Sequence, residues 1–160
     1  MSEITLRSIH DFRATYALIQ QAIEGLSEGQ LVWKPAVDKW SIKEVAAHLV
    51  DASLVHSIRI RKIVAEGSAQ LPPFLLYDQD AWVADSRANE TSIAEILSAF
   101  QAILHYNALF YERLTEADWS KKGLNGEKEV TISDLFQGFI NHVNIHVRQI
   151  DRNKAAWSAK

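Results

Sequence analysis

Apolar residues recur three or four positions apart in four separate stretches of this 160-residue chain, a spacing that gathers them onto one face only if each stretch is an α-helix. The first stripe runs Ile9, Phe12, Tyr16, Ile19, Ile23 and Leu26, with Gly25 and Gly29 bracketing its end. Pro35 makes 31–38 a connection rather than continuous helix. Ser41 and Glu44 then have capping-box spacing and open a second helix. Its stripe is Ile42, Val45, Leu49, Ser53, His56, Ile60 and Ile63, and Gly67 is its expected stop.

Thr91 or Ser92 caps a third helix carrying Ile93, Ile96, Leu97, Phe100, Ile103, Leu104, Asn107, Phe110 and Leu114. Thr131 caps a fourth, with Ile132, Leu135, Phe136, Phe139, Ile140, Val143, Val147 and Ile150 inward. Its Thr-Ile-Ser-Asp-Leu opening echoes the Ser-Ile-Lys-Glu-Val of the second, a weak internal pseudo-repeat. Between helices two and three lie Pro72, Pro73 and the irregular patch Phe74, Leu75, Leu76, Tyr77 and Trp82, a crossover with room for one short helix after Asp78. A crossover of about 20 residues lets those two helices run parallel. The fold class is therefore all-α, a four-helix bundle, and residues 1–160 read as a single domain. No segment reads as strand: around Asn125-Gly126, where a hairpin could be argued, the flanks are lysine and glutamate rather than alternating apolar residues.

Composition removes several functions. There is no cysteine, so thiolate metal sites and cysteine nucleophiles are excluded and a metal must sit on His, Asp, Glu, backbone or water. The net charge of -3 is spread along the chain without a basic block, which argues against nucleic acid as a partner. No uninterrupted apolar run approaches membrane-spanning length, and Met-Ser-Glu-Ile-Thr-Leu-Arg lacks the order of a signal peptide, so the expectation is a cytoplasmic protein with no membrane partner.

The sharpest local signal is His142-Val143-Asn144-Ile145-His146, because histidines four apart project from one helix face at successive turns and can reach one ion. Six histidines in 160 residues give about 0.2 such pairs by chance, so a metal site requires a third ligand. Otherwise the pair is hydrogen-bonded core histidine. Periodicity leaves His48 and His56 level as the third ligand: His56 lies on the centre line of the stripe, His48 on the adjoining track with small Ala52. His105 and His10 read as solvent-facing.

Trp33-Lys34-Pro35, then Trp40-Ser41-Ile42-Lys43-Glu44-Val45-Ala46-Ala47-His48-Leu49-Val50-Asp51, and much later His142-x-x-x-His146-x-x-Gln149-Ile150, resemble the DinB/YfiT-like superfamily of metal-dependent four-helix proteins. The resemblance spans nearly the whole chain. It implies an up-up-down-down bundle with the long crossover between helices two and three, a homodimer, and zinc or nickel on His48, His142 and His146. It implies a hydrolase or a thiol-dependent transferase that uses a small-molecule substrate, with a low-molecular-weight thiol in the second case.

Three histidines leave a coordination position open, as catalytic zinc sites do, where a water or thiol would be acidified. Asp51 and Glu44, each one turn from His48, and Gln149, one turn after His146, are candidates to orient an imidazole or move a proton. Each also reads as an ordinary cap or surface residue. Trp33, Trp40 and Trp82 either wall a pocket or pack in the core. Asn107, polar within an apolar stripe, either faces the same cavity or pairs across the bundle. The alternative function is a non-catalytic bundle that binds metal or a small molecule and acts through a partner.

Overall fold

The computed structural model describes residues 3–67 and 69–160, with side chains from Ser8 onward apart from Ser68. Four long helices form the bundle: α1 (Glu3–Ile23), α3 (Ile42–Glu66), α5 (Ile93–Glu112) and α7 (Ile132–Ser158). Short helices α2 (Glu28–Val32), α4 (Gln79–Asp85) and α6 (Glu116–Trp119) lie in the connections. The capping box expected at Ser41 forms, its side chain accepting from Glu44 N–H while the Glu44 carboxylate accepts from Ser41 N–H, and the expected cap Thr131 proves to make a second such box with Asp134 at the start of α7. Ser92 stands at the start of α5 without a side-chain bond.

Helix directions follow from the contacts. Ser53 meets Asn107 and His56 meets Tyr111, so α3 and α5 run parallel, as the crossover length requires. Phe12 stacks on Phe136 and Lys154 reaches the Ala22 carbonyl, which makes α1 and α7 parallel. Tyr16 meets Phe100 while Phe12 meets Tyr111, so α1 opposes α5. Around the bundle the helices α7, α1, α5 and α3 therefore read up, up, down, down. Along the chain the order is up-down-down-up, a point on which a purely sequential reading of up-up-down-down needs correction. The chain leaves the bottom of α3 and must climb back to its top before α5 can begin alongside it.

That return path is pinned in three places. Phe74 N–H donates to Leu124 O and Leu124 N–H to Pro72 O, Arg59 donates to Leu75 O, and the Trp40 indole donates to Asp80. Leu124 belongs to a β-hairpin, β1 (Lys122–Asn125) and β2 (Lys128–Thr131), which corrects the expectation of no strands. Asn125 pairs with Lys128, leaving a two-residue loop whose first residue, Gly126, has φ +62. The missing alternation has a physical reason. The buried contact is made by Gly123, where an added Cβ would come within 2.8 Å of Phe74 and 2.9 Å of Ile63, so closeness replaces apolar bulk.

Helix α5 is by length and composition apolar enough to cross a membrane, although Glu95, Gln101, His105 and Asn107 interrupt it. In this fold it packs on α1 and α3. Asn107 is fully buried and pairs across the bundle, donating to Ser53 O and accepting from Arg61. Phe12, Tyr111, Phe136 and Phe139 form an aromatic core around His56, whose Nε2 lies 2.7 Å from the Tyr111 hydroxyl.

Removing that hydroxyl strands a ring nitrogen in the core. Tyr111→Phe is expected to lower the unfolding free energy by about 1–3 kcal/mol, read from urea denaturation at neutral pH. An unchanged urea midpoint would show that the bond contributes nothing.

Candidate metal centre

Because α3 and α7 are antiparallel, His48 faces the turn of α7 that carries His142 and His146. His48 Nε2 lies 3.1 Å from His142 Nε2, which lies 2.9 Å from His146 Nε2. One ligand atom from each residue falls within 4.8 Å of the others. His48 and His146 are 1% and 7% exposed, so this convergence sits inside the seam.

Hydrogen bonding alone does not account for it. A ring nitrogen carries either one hydrogen or one in-plane lone pair, so His142 Nε2 cannot make two good bonds at 3.1 and 2.9 Å. A cation satisfies all three lone pairs together. Imidazole nitrogens held about 2.0–2.1 Å from one tetrahedral ion stand roughly 3.3 Å apart, close to the spacing seen. The donor set thus fits a divalent metal that accepts nitrogen ligands.

The surroundings suit neutral rings. Burial, then the other two histidines, holds His48 down to about 3, and burial, then His146, holds His142 down to about 4. Burial lowers His146 as well, against the raising effect of Gln149 and with a smaller push from Arg152. Gln149 Oε1 is 2.8 Å from His146 Nδ1 and accepts its proton, which leaves Nε2 with a free lone pair. His48 Nδ1 is buried with no partner among the described residues. Trp40 covers the group, its ring 4.8 Å from His48 and 6.3 Å from His146.

The other sequence candidates are placed elsewhere. His56 is buried against Tyr111, with burial as the main cause holding it to about 3. His105 lies 2.9 Å from Arg13, and His10 is exposed. The Glu44 carboxylate is committed to the α3 cap and to Lys34 at 3.3 Å. Asp51 is half-buried, its pKa raised by burial, and lines hollows with Ser86 on the crossover side of α3. Trp33 packs on Trp157 and Trp82 on Tyr77, so Trp40 alone of the three tryptophans touches the histidines. Sequence reasoning did not anticipate the cavity next to His142, lined by Ala52, Val55, His56 and Arg59 of α3, by Gly138 and Phe139 of α7, and by Tyr77 and Gln79 of the crossover. The irregular aromatic patch around Tyr77 was its one visible signal.

The DinB superfamily model matches residues 11–150. A Bacillus licheniformis protein named as a "putative metal-dependent hydrolase" is 26% identical over 156 residues, covering 94% of this chain and 86% of its own. The solved structure of YfiT from Bacillus subtilis, described as "a probable metal-dependent hydrolase with an unusual four-helix bundle topology", superimposes with a TM-score of 0.87 at 18% identity, over 99% of this chain and 90% of that one.

Protons should destabilise the metal-free fold in a defined window. The unfolded chain binds protons on these imidazoles near 6.5, whereas the folded chain resists them until about 4 at His142 and about 3 at His48 and His56. Stability is therefore full above pH 6.5 and declines as pH falls through the folded values, by up to about 1.4 kcal/mol per pH unit for each imidazole. Melting temperatures of metal-free protein followed by circular dichroism should fall below pH 6.5, less steeply in His142→Gln. A flat profile down to about 4 would contradict neutral buried rings.

Proposed function

This chain belongs to the DinB superfamily, and from that premise we propose that it is a metal-dependent hydrolase of a small molecule, holding a divalent ion on His48, His142 and His146. The observation that carries the reading is the convergence of three ring nitrogens that hydrogen bonding cannot satisfy. An all-imidazole donor set favours a borderline ion, and zinc or nickel is the proposed occupant. The hydrolase names of the Bacillus licheniformis relative and of YfiT support the reaction class. When bound, such an ion supplies Lewis acidity at an open coordination position, enough to generate a nucleophile from water near neutral pH.

The chain's own residues prepare that position. Burial keeps the three imidazoles unprotonated, so no proton has to be displaced before they ligate. Gln149 fixes the tautomer of His146. Trp40 closes one side against water, held by its bond to Asp80 and by Asn153 donating to its carbonyl. The opposite side, at His142, opens into the cavity between α3 and α7, which is where a substrate would enter.

Purified protein loaded with zinc or nickel should hold one ion per chain by elemental analysis and hydrolyse simple esters or amides. His142→Ala should lose stoichiometric metal, and Gln149→Ala should keep the site with about 10–100-fold weaker affinity. Conjugation of a low-molecular-weight thiol to an electrophile without hydrolysis would move the assignment to a transferase. No turnover in either assay by fully loaded protein would leave a binding protein.

A further inference from the structure

The cavity beside His142 has a cation in its wall. It has a volume of about 240 Å³ and is open to solvent on one side, with Arg59, Tyr77 and Gln79 lining it together with His142. Arg13 pairs with Glu112, Arg87 with Glu90, and Arg61 donates to Asn107. Arg59 stands in the cavity wall with a single backbone carbonyl as acceptor. Its Nη2 donates to the Leu75 carbonyl at 2.6 Å and its guanidinium lies 4.9 Å from the Phe74 ring centre. Its Nε is buried without an acceptor, and among the described residues Nη1 has no acceptor and no carboxylate forms an ion pair with the group.

A half-buried charge without a counter-charge is costly, and burial accordingly pulls the Arg59 pKa down. The Asp134 carboxylate of the same cavity makes no ion pair with it. Asp134 has Oδ2 engaged by Thr131 N–H at 3.0 Å and by the Thr131 hydroxyl at 2.8 Å, which serves the start of α7. The remaining neighbours, Tyr77, Gln79 and the neutral His56, carry no negative charge at ordinary pH. The guanidinium is held in place by Leu75 and Phe74 yet lacks what it would neutralise, which is how a preformed anion-binding group looks.

We infer that this cavity is a subsite for a small organic anion, whose carboxylate or phosphate group docks on Arg59 while its other end lies against His142. Ala52 and Arg59 both line the cavity and stand seven residues apart on α3, about 10 Å along the helix axis. The cavity therefore extends at least that far along α3, room for an elongated ligand. What happens at the His142 end rests on the hydrolase reading; the docking of the anion does not.

The test uses the full chain with 4-phenylbutyrate and its neutral match, 4-phenylbutyramide, titrated separately and followed by amide NMR shifts at Arg59, Tyr77 and Gly138. The acid should bind about tenfold or more tightly than the amide in the unaltered protein. Arg59→Gln should bind the two alike, and Arg59→Lys should keep part of the preference, with zinc content the same in all three proteins. Equal affinity for acid and amide, no binding of either, or a preference that survives in Arg59→Gln would each overturn the inference. An intact acid preference in zinc-loaded protein that hydrolyses nothing would sink the hydrolase reading and leave the subsite standing.

Discussion

The antiparallel seam between α3 and α7 is the contact on which everything at the site depends. A helix turns about 100 degrees per residue, so sliding or rotating α7 by one residue against α3 would carry His142 and His146 away from His48. Register is therefore held at both ends of the seam. Asn153 donates to the Trp40 carbonyl beside the α3 cap, and Phe139 packs on His56 at 4.9 Å farther down. Both helices start from capping boxes, which fix where the first turn begins and hence the angular position of each later residue. Three unprotonated imidazoles gathered in one place gain little from each other. The aromatic core below and the caps above hold them there.

The bundle was largely legible from residue spacing, since stripes and caps are local and their physics is short-ranged. Ser41, Thr131 and Gly67 mark helix ends where sequence places them. The choice between His48 and His56 was not legible in the same way. Both lie on inward tracks of one helix, and what separates them is a hydroxyl on another: Tyr111 of α5 takes up His56, leaving His48 to face α7. No periodicity within α3 contains that information. The resemblance to a family, not any difference in the local pattern, is what singles out His48 in the sequence.

The hairpin and the cavity wall were hidden for related reasons. A strand is read from alternating bulk, yet β1 makes its buried contact through Gly123, where the absence of a side chain admits Phe74 and Ile63. The crossover is irregular because it serves two surfaces: one end pairs with the hairpin and the other lies across the top of α3. That path is a topological necessity, since parallel neighbours require the chain to return along the bundle. It is also what converts an open seam into a pocket, by laying Tyr77 and Gln79 over the groove between α3 and α7. A bundle with tight hairpin connections throughout would have the histidines without the crossover wall beside them.

Electrostatics couples the two ends of that space. A divalent ion at the histidines and the Arg59 guanidinium would both border the same cavity as positive charges, and would repel each other. No carboxylate pairs directly with Arg59: Glu44 and Asp134 hold helix caps, and Asp51 lies toward the crossover side of α3. Metal alone is thus opposed by the same charge that an anion would welcome. A ligand bearing a negative group at one end cancels part of that repulsion, so ion and ligand should strengthen each other's hold without any movement of the backbone. Discrimination then arises from charge placement in the groove: a neutral molecule of the same shape fills the cavity but leaves the repulsion in force.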